Sequence, residues 1–287
     1  MPDLPRLKPD PIPPVRPVPE YLAEGELKAR CEDAKAVLAV PWTGVVTMAF
    51  THYGRFYDAL WQGLRPLCRS RPFADAGRDL RAWTEAEVAR LDPPPIVPRL
   101  VEAWYAPREI EAIRAVVEVF SHGNYPYLLL ATIARLLLEG GSLAEGREAP
   151  PRAESDAPAP SPFELMEPHH SDAPTRALYE DLKTSLGLPF VNTDYRALAR
   201  WPSYFALAWM DLKPRLGTPA YEALVGAVHR RAVEAAAGLP NPGRLSGEAL
   251  RRAAAEDGEE VLAVVRLFQW LLPGLVANIA FFRAQLV

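Results

Sequence analysis

The stretch "CEDAKAVLAVPW", Cys31 to Trp42, returns later in the chain as "YEDLKTSLGLPF", Tyr179 to Phe190. Glu32 pairs with Glu180, Asp33 with Asp181, Lys35 with Lys183, Leu38 with Leu186 and Pro41 with Pro189, each 148 positions apart (180 − 32). The same offset carries Trp61 onto Trp209, Pro66 onto Pro214, Glu111 onto Glu259, Val117 onto Val265 and Phe120 onto Phe268. A separation held without an insertion or deletion from Glu32 to Phe120 marks an internal duplication. The repeats fill residues 20–144 and 170–287. A Pro-rich arm (1–19) precedes the first, and a Pro- and Ala-rich linker (145–169) joins them. Each repeat is too small and too apolar to stand comfortably alone, so packing the two as a pseudo-dimer would bury a shared face.

Within the repeats the apolar spacing is helical. Ile110, Ile113, Val116, Val117 and Phe120 recur at intervals of three and four after Pro107, which suits a first helical turn. "TEAEVARL" opens with Thr84 and has Glu87 three residues on, the pattern of a capping box, with Trp83 and Val88 placed as a hydrophobic staple. "TPAYEALVGAVHRRAVEAAAG" places Thr218 as an N-cap, Pro219 as first helical residue and Gly238 as a stop. No alternating segments bounded by Asn-Gly or Asp-Gly turns stand out. The expected fold class is all-α. Eight prolines between Pro2 and Pro19 predict an extended arm of polyproline character and not a packed element, either laid across the surface of the domain or disordered. "EGREAPPRAESDAPAPSP", from Glu145 to Pro162, reads as irregular linker.

Composition narrows the function classes. The 287 residues are 49% hydrophobic and 24% charged, with a formal net charge of −4. That balance offers neither a nucleic-acid surface nor a polybasic membrane patch. Two cysteines, Cys31 and Cys68, make no CxxC pair, which fits a cytoplasmic location. The N-terminal residues carry no apolar core of the kind a signal peptide needs. Two apolar runs, "YLLLATIARLLL" and "LFQWLLPGLVANIAFF", are short of a membrane span. The first contains Arg135 and the second Gln269, Pro273 and Asn278, so both are expected as buried core helices. No GxSxG, GxxxxGK[ST], GxGxxG or HExxH pattern is present, so neither cofactor nor metal is expected. His169 and His170, beside Glu164, Glu167 and Asp172, lack metal-ligand spacing and read as a solvated segment.

Where duplicated copies differ in chemistry, packing alone is a poor explanation. "VVTMAFTHYGRFYDALW" (Val45 to Trp61) aligns with "VNTDYRALARWPSYFALAW" (Val191 to Trp209), placing Asp194 opposite Val46. "SHGNYPYLLL" (Ser121 to Leu130) likewise has no chemical match in "QWLLPGLVAN" (Gln269 to Asn278). Asp194 can be an N-cap for "YRALAR", as can Asn192 and Thr193, or it can be a general base whose carboxylate gains basicity in an apolar cleft near Phe190, Trp201 and Tyr204. Asn124 can be a turn residue between Gly123 and Pro126, or an amide that holds a water or a substrate carboxylate. Trp42 can be core, or can turn its indole N–H to a ligand. Thr193 has a hydroxyl to donate to a carboxylate.

"EDAKAVLAVPW", "HGNYPYLLL" and "TDYRALARWP" resemble the matching segments of the group I 2-haloacid dehalogenases. These all-helical enzymes act on D- and L-2-haloacids and are unrelated to the haloacid dehalogenase superfamily with a Rossmann-like fold. The likeness runs from about Glu20 to the C-terminal residues. It implies a pseudo-dimer of helical repeats related to the alkylhydroperoxidase-D-like fold, and assembly as a homodimer. It also implies a cofactor-free hydrolysis in which Asp194 activates a water that attacks the α-carbon directly, with inversion and no covalent ester. By the same resemblance Asn124 helps to hold water or substrate. Trp42, Val45, Tyr127, Phe190 and Thr193 are the expected substrate-binding set, with Val45 where a bulky aromatic is the family's pattern. No Arg or Lys in the motifs is an evident carboxylate clamp, Arg196 and Arg200 being the nearest candidates. The alternative is a non-catalytic helical binding protein for a small carboxylate or apolar ligand on the same scaffold.

Overall fold

A computed structural model of the chain describes residues 4–146, 148–152 and 163–287. Twelve α-helices occur among them. The first six are α1 (Gly25–Leu38), α2 (Val45–Thr51), α3 (Gly54–Cys68), α4 (Arg71–Val88), α5 (Val97–Glu102) and α6 (Pro107–Leu138). The last six are α7 (Ala173–Leu186), α8 (Thr193–Leu198), α9 (Pro202–Leu212), α10 (Pro219–Gly238), α11 (Gly247–Ala254) and α12 (Gly258–Gln285). No strand is found among the described residues, only two isolated bridges, so the fold is all-α as the spacing predicts. Helix α7 begins and ends 148 residues after α1, and α8, α9 and α10 each begin 148 residues after α2, α3 and α4.

The offset extends to individual contacts. Asp33 accepts from the Trp61 indole N–H at 2.7 Å, and Asp181 from Trp209 at 2.8 Å. The cation four residues after each tryptophan binds the same carboxylate: Arg65 at 2.9 Å and Lys213 at 2.6 Å. Both carboxyl groups are held below the usual aspartate range, chiefly by the hydrogen bond from that cation. Helices α1 and α7 end alike. Ala39 (φ 56°) and Gly187 (φ 63°) take the left-handed conformation that closes a helix, and the next amide, Val40 or Leu188, donates to the carbonyl of Lys35 or Lys183.

The chain folds into two compact units, neither a single run of sequence. One comprises residues up to 82, 122–159 and 226–275; the other 83–121, 160–225 and 276–287. In the first unit α3 is amphipathic, burying Phe56, Tyr57, Leu60, Trp61, Leu64, Leu67 and Cys68 on one face. Here Phe50 meets Phe56 and Phe268 edge-on, at 5.7 and 6.0 Å between ring centroids. The loop before α11 comes so close to α3 that a Cβ at Gly243 would stand 2.1 Å from the Gly63 carbonyl oxygen, which only glycine allows. In the second unit Asp211 gathers Arg99 and Gln285, each at 2.7 Å, and Glu118 takes Arg283 at 2.8 Å.

Three expectations are corrected. No helix starts at Thr84: it is buried well inside α4, on the face that carries Phe73, Leu80 and Val88, and Glu87 pairs with Arg90 at 2.6 Å. A helix already under way has satisfied the amides that a capping box would serve. Nor does Gly123-Asn124 with Pro126 break the chain, since all three lie inside α6. The arm, finally, is extended but packed. Leu4 is buried, its carbonyl meets His229 Nε2 at 2.6 Å, and the Pro5 carbonyl accepts from Arg135 at 3.0 Å. Of the linker, residues 147 and 153–162 lie outside the described residues. Pro150 and Arg152 pair their backbone with Arg71 and Arg69 at 2.7 and 3.0 Å. The starts of α6 at Pro107 and of α10 at Pro219, and the end of α10 at Gly238, agree with the sequence, and Thr218 accepts from the Tyr221 amide at 3.3 Å. Gly247–Gln285 holds a window apolar enough to cross a bilayer by composition, and 78% of that window is buried inside the protein, as for a core helix.

The contacts around Arg135 also fix a proton. Arg135 binds the side-chain oxygen of Gln269 and, at 3.0 Å, Glu139. With its oxygen engaged, Gln269 turns its N–H₂ to His229 Nδ1 at 2.8 Å, which leaves Nε2 of His229 as the donor to Leu4. Burial, helped by Arg135 and Arg6, pushes the imidazole below its ordinary value of 6.5. A group depressed in the folded state binds fewer protons than in the unfolded chain, so its contribution is complete above pH 6.5 and is lost as pH falls. The thermal midpoint is therefore expected to drop between pH 7.5 and 5, and His229→Gln to flatten that slope, as measured by thermal denaturation across pH.

Candidate active site

The predicted site residues fall in two groups, one in each unit. In the first unit Trp42 is buried just before α2, and Tyr127 reaches it from α6. The Tyr127 hydroxyl accepts from the Gly44 amide at 2.9 Å and donates to the Trp42 carbonyl at 2.6 Å. The two rings lie 5.7 Å apart and tilted by 59°. Full burial drives the phenol above its ordinary range, so it stays neutral and serves as both donor and acceptor. A Cβ at Gly44 would come within 2.8 Å of the Tyr127 ring, and one at Gly123 within 2.2 Å of the Trp42 ring. The two glycines thus let the turn, the indole and α6 close on one another. Asn124 follows Gly123 on α6 and is buried, while Val45 opens α2 half-buried.

In the second unit Thr193 and Asp194 form the first turn of α8, with Asn192 as N-cap. Asp194 is 2% exposed and Thr193 3%. A carboxylate so far out of water needs polar partners or loses ionisation. Phe190, two residues ahead of the cap, is half-buried. The next residue of the helix, Tyr195, stacks on Phe205 at 5.9 Å and meets Phe282 edge-on at 6.5 Å. Its hydroxyl accepts from Asn278 Nδ2 at 2.9 Å, and Asn278 Oδ1 accepts from the Tyr221 hydroxyl at 2.7 Å. Asn278 thus ties α8, α10 and α12 through one buried amide. Tyr204 is buried in the same unit, as expected of an apolar neighbour.

The comparisons with known proteins bear on this arrangement. No family model matches the chain. It is 50% identical to an (R)-2-haloacid dehalogenase of Rhizobium sp. (strain NHG3) over 254 residues, 87% of this chain and 98% of the relative. It is 38% identical over 280 residues to an (R)-2-haloacid dehalogenase of Pseudomonas putida, covering 94% of this chain and 92% of that one. The chain belongs to the 2-haloacid dehalogenase family. A solved D-2-haloacid dehalogenase mutant superposes with a TM-score of 0.92 at 35% identity, over 98% of this chain and 99% of the other. A second, a mutant described in complex with D-2-CPA, superposes at 0.89 and 36%, over 96% and 97%.

As a dehalogenase-family protein the chain is an enzyme acting on carbon–halide bonds. Its polar framework sharpens several earlier assignments. Arg196 is not a spare cation: its guanidinium binds Glu167 at 2.6 Å and reaches the Thr193 hydroxyl at 3.3 Å, so it stiffens the first turn of α8. Arg200 is exposed, 3.4 Å from Glu164. His169 and His170 are exposed, and no group of His, Cys, Asp and Glu able to hold a metal occurs among the described residues. Asn278 had one mark in the sequence, a lone amide in an otherwise apolar run; Tyr195 and Tyr221 had none, because nothing local shows that they meet.

Replacing Asn278 with Leu removes both tyrosine contacts at once and should lower the unfolding free energy by about 2 kcal/mol, read from the shift in denaturant midpoint. Gly123→Ala should lower it by about 1–3 kcal/mol through overpacking against Trp42, with a change in tryptophan fluorescence in the folded protein.

Proposed function

We propose that this protein hydrolyses short 2-haloalkanoic acids, with Asp194 as the general base. Water attacks the α-carbon as a C–O bond forms and the carbon–halide bond breaks. Halide leaves with the bonding pair, the surplus proton passes to Asp194, and the configuration inverts without a covalent ester. A carboxylate buried to 2% exposure, at a repeat position where the other copy carries Val46, carries this assignment. Both backbones make the same turn, so packing alone does not call for an acid there.

Asn124 helps to hold water or substrate, and Trp42, Val45, Tyr127, Phe190 and Thr193 line the binding site. The halide would take an apolar, aromatic niche, and the substrate carboxylate would take hydrogen-bond donors. The relatives named (R)-2-haloacid dehalogenases, at 50% and 38% identity, favour (R)-configured substrates. One at 26% identity, from Pseudomonas sp. (strain 113), is named as configuration-inverting, which favours inversion. The finer family placement goes with this proposal: group I, an alkylhydroperoxidase-D-like pseudo-dimer of the two repeats, a homodimer, and a cytoplasmic location.

Purified protein is expected to release chloride from (R)-2-chloropropionate and to yield the hydroxy acid of opposite configuration, read by halide assay and chiral chromatography. Asp194→Asn should lower kcat by about 10²–10⁴-fold, the usual worth of a general base, with an unchanged helical circular dichroism spectrum. Undiminished turnover in that variant removes Asp194 from the mechanism.

A further inference from the structure

In the first unit the amino-terminal arm lies against α10 and α12 through a defined set of contacts. Leu4 is buried, and its carbonyl accepts from His229 Nε2. The Trp270 carbonyl accepts from Arg6 Nε at 3.1 Å, and the Arg6 and Lys8 cations stand 5.3 and 5.4 Å from the Trp270 ring centroid. An aliphatic side chain and an acceptor oxygen are thus taken together, the oxygen by the side chain at position 229.

The repeat offset places Arg81 of α4 at the position of His229 (229 − 81 = 148), His122 of α6 at that of Trp270 (270 − 122 = 148) and Arg152 of the linker at that of Leu4 (152 − 4 = 148). These three residues, with Arg78, line a cavity of about 130 Å³ whose walls are otherwise largely apolar, with Leu38, Val40 and Phe73. The cavity shares no residue with the predicted substrate-binding set. Arg81 donates to His122 Nε2, because a guanidinium has no acceptor, and this leaves Nδ1 of His122 as a further donor. Arg78 pairs with Asp75. A guanidinium carries five N–H groups, so one pairing does not exhaust it.

The lining selects a ligand by charge, size and polarity. Where the second repeat takes a neutral carbonyl oxygen with an imidazole, the first offers a guanidinium, whose fork suits a carboxylate. The volume holds about four water-sized groups at roughly 30 Å³ each, the size of acetate or propionate. Inorganic phosphate is also small, but it would set oxygens without partners against Leu38, Val40 and Phe73. A short alkyl group suits that wall.

We propose that this cavity is a binding site for a short-chain carboxylate, its oxygens on Arg81 and Arg152 and its alkyl group against Leu38, Val40 and Phe73, separate from the site that contains Asp194. Gly77 also lines the cavity from inside α4. Among the described residues the nearest atom to a Cβ there is Tyr125 Cβ at 3.8 Å, so a larger side chain has room to enter and fill the space.

Calorimetric titration of the intact chain with propionate is the test. It needs no turnover, so it decides this proposal whether or not Asp194 is the base. The wild-type protein is expected to show a propionate site that Arg81→Gln weakens by about tenfold or more, the worth of a charge-assisted hydrogen bond. Gly77→Leu should abolish the same site, and its thermal midpoint should not fall, since leucine is the better helix former. In both variants KM for (R)-2-chloropropionate should stay within about twofold of wild type, as for a site outside the reaction. No propionate binding by the wild-type protein overturns the proposal, as does wild-type affinity in either folded variant. Should Arg81→Gln not fold, Gly77→Leu alone decides. A loss of binding matched by a rise in KM places the bound propionate at the reaction's own site and overturns the proposal as well. Tighter binding of inorganic phosphate than of propionate overturns the choice of a carboxylate.

Discussion

The indole–carboxylate bond between Asp33 and Trp61, repeated by Asp181 and Trp209, is the constraint on which the site's backbone depends. Each bond ties a helix to the one two elements later, α1 to α3 and α7 to α9. The segment between them, a left-handed closing residue, a short turn and a brief helix, then has little choice of path. A charge-assisted hydrogen bond of this kind contributes roughly 1.5–3 kcal/mol, and a cation completes each one. Two copies of one backbone device can thus present different side chains, Val46 from one and Asp194 from the other, without either copy being reshaped.

Much of this could be read in the sequence. The duplication was visible because an unbroken offset of 148 aligned whole motifs, and the helices recur with that offset. Helix starts marked by proline, and the stop at Gly238, were legible because they depend on one residue and its immediate neighbours. The Thr84 capping box failed for the opposite reason. It is a correct local pattern, overridden because α4 is already under way and buries Thr84 with Phe73 and Leu80. Gly123-Asn124 with Pro126 failed likewise, since burial along α6 outweighs a proline's missing amide.

Asp194 and Asn124 stood out in the sequence because the other copy offered a comparison. Asn278, Tyr195 and Tyr221 did not, because their association joins positions 57 and 83 residues apart. In the sequence Asn192 reads only as a possible cap. Its lack of a capping bond is a matter of side-chain direction, and no residue pattern carries that.

Several buried polar groups in this protein are joined into chains with a defined direction. Glu139, Arg135, Gln269 and His229 form one such chain, and it leaves His229 a single tautomer. That chain ends on main-chain oxygens, those of Leu4 and Pro5. Recognition through carbonyls is indifferent to side-chain identity. Over evolution the amino-terminal strap can therefore exchange residues at its exposed positions freely while its course across the protein stays the same, so related enzymes can share this fastening with little likeness in the letters that spell it.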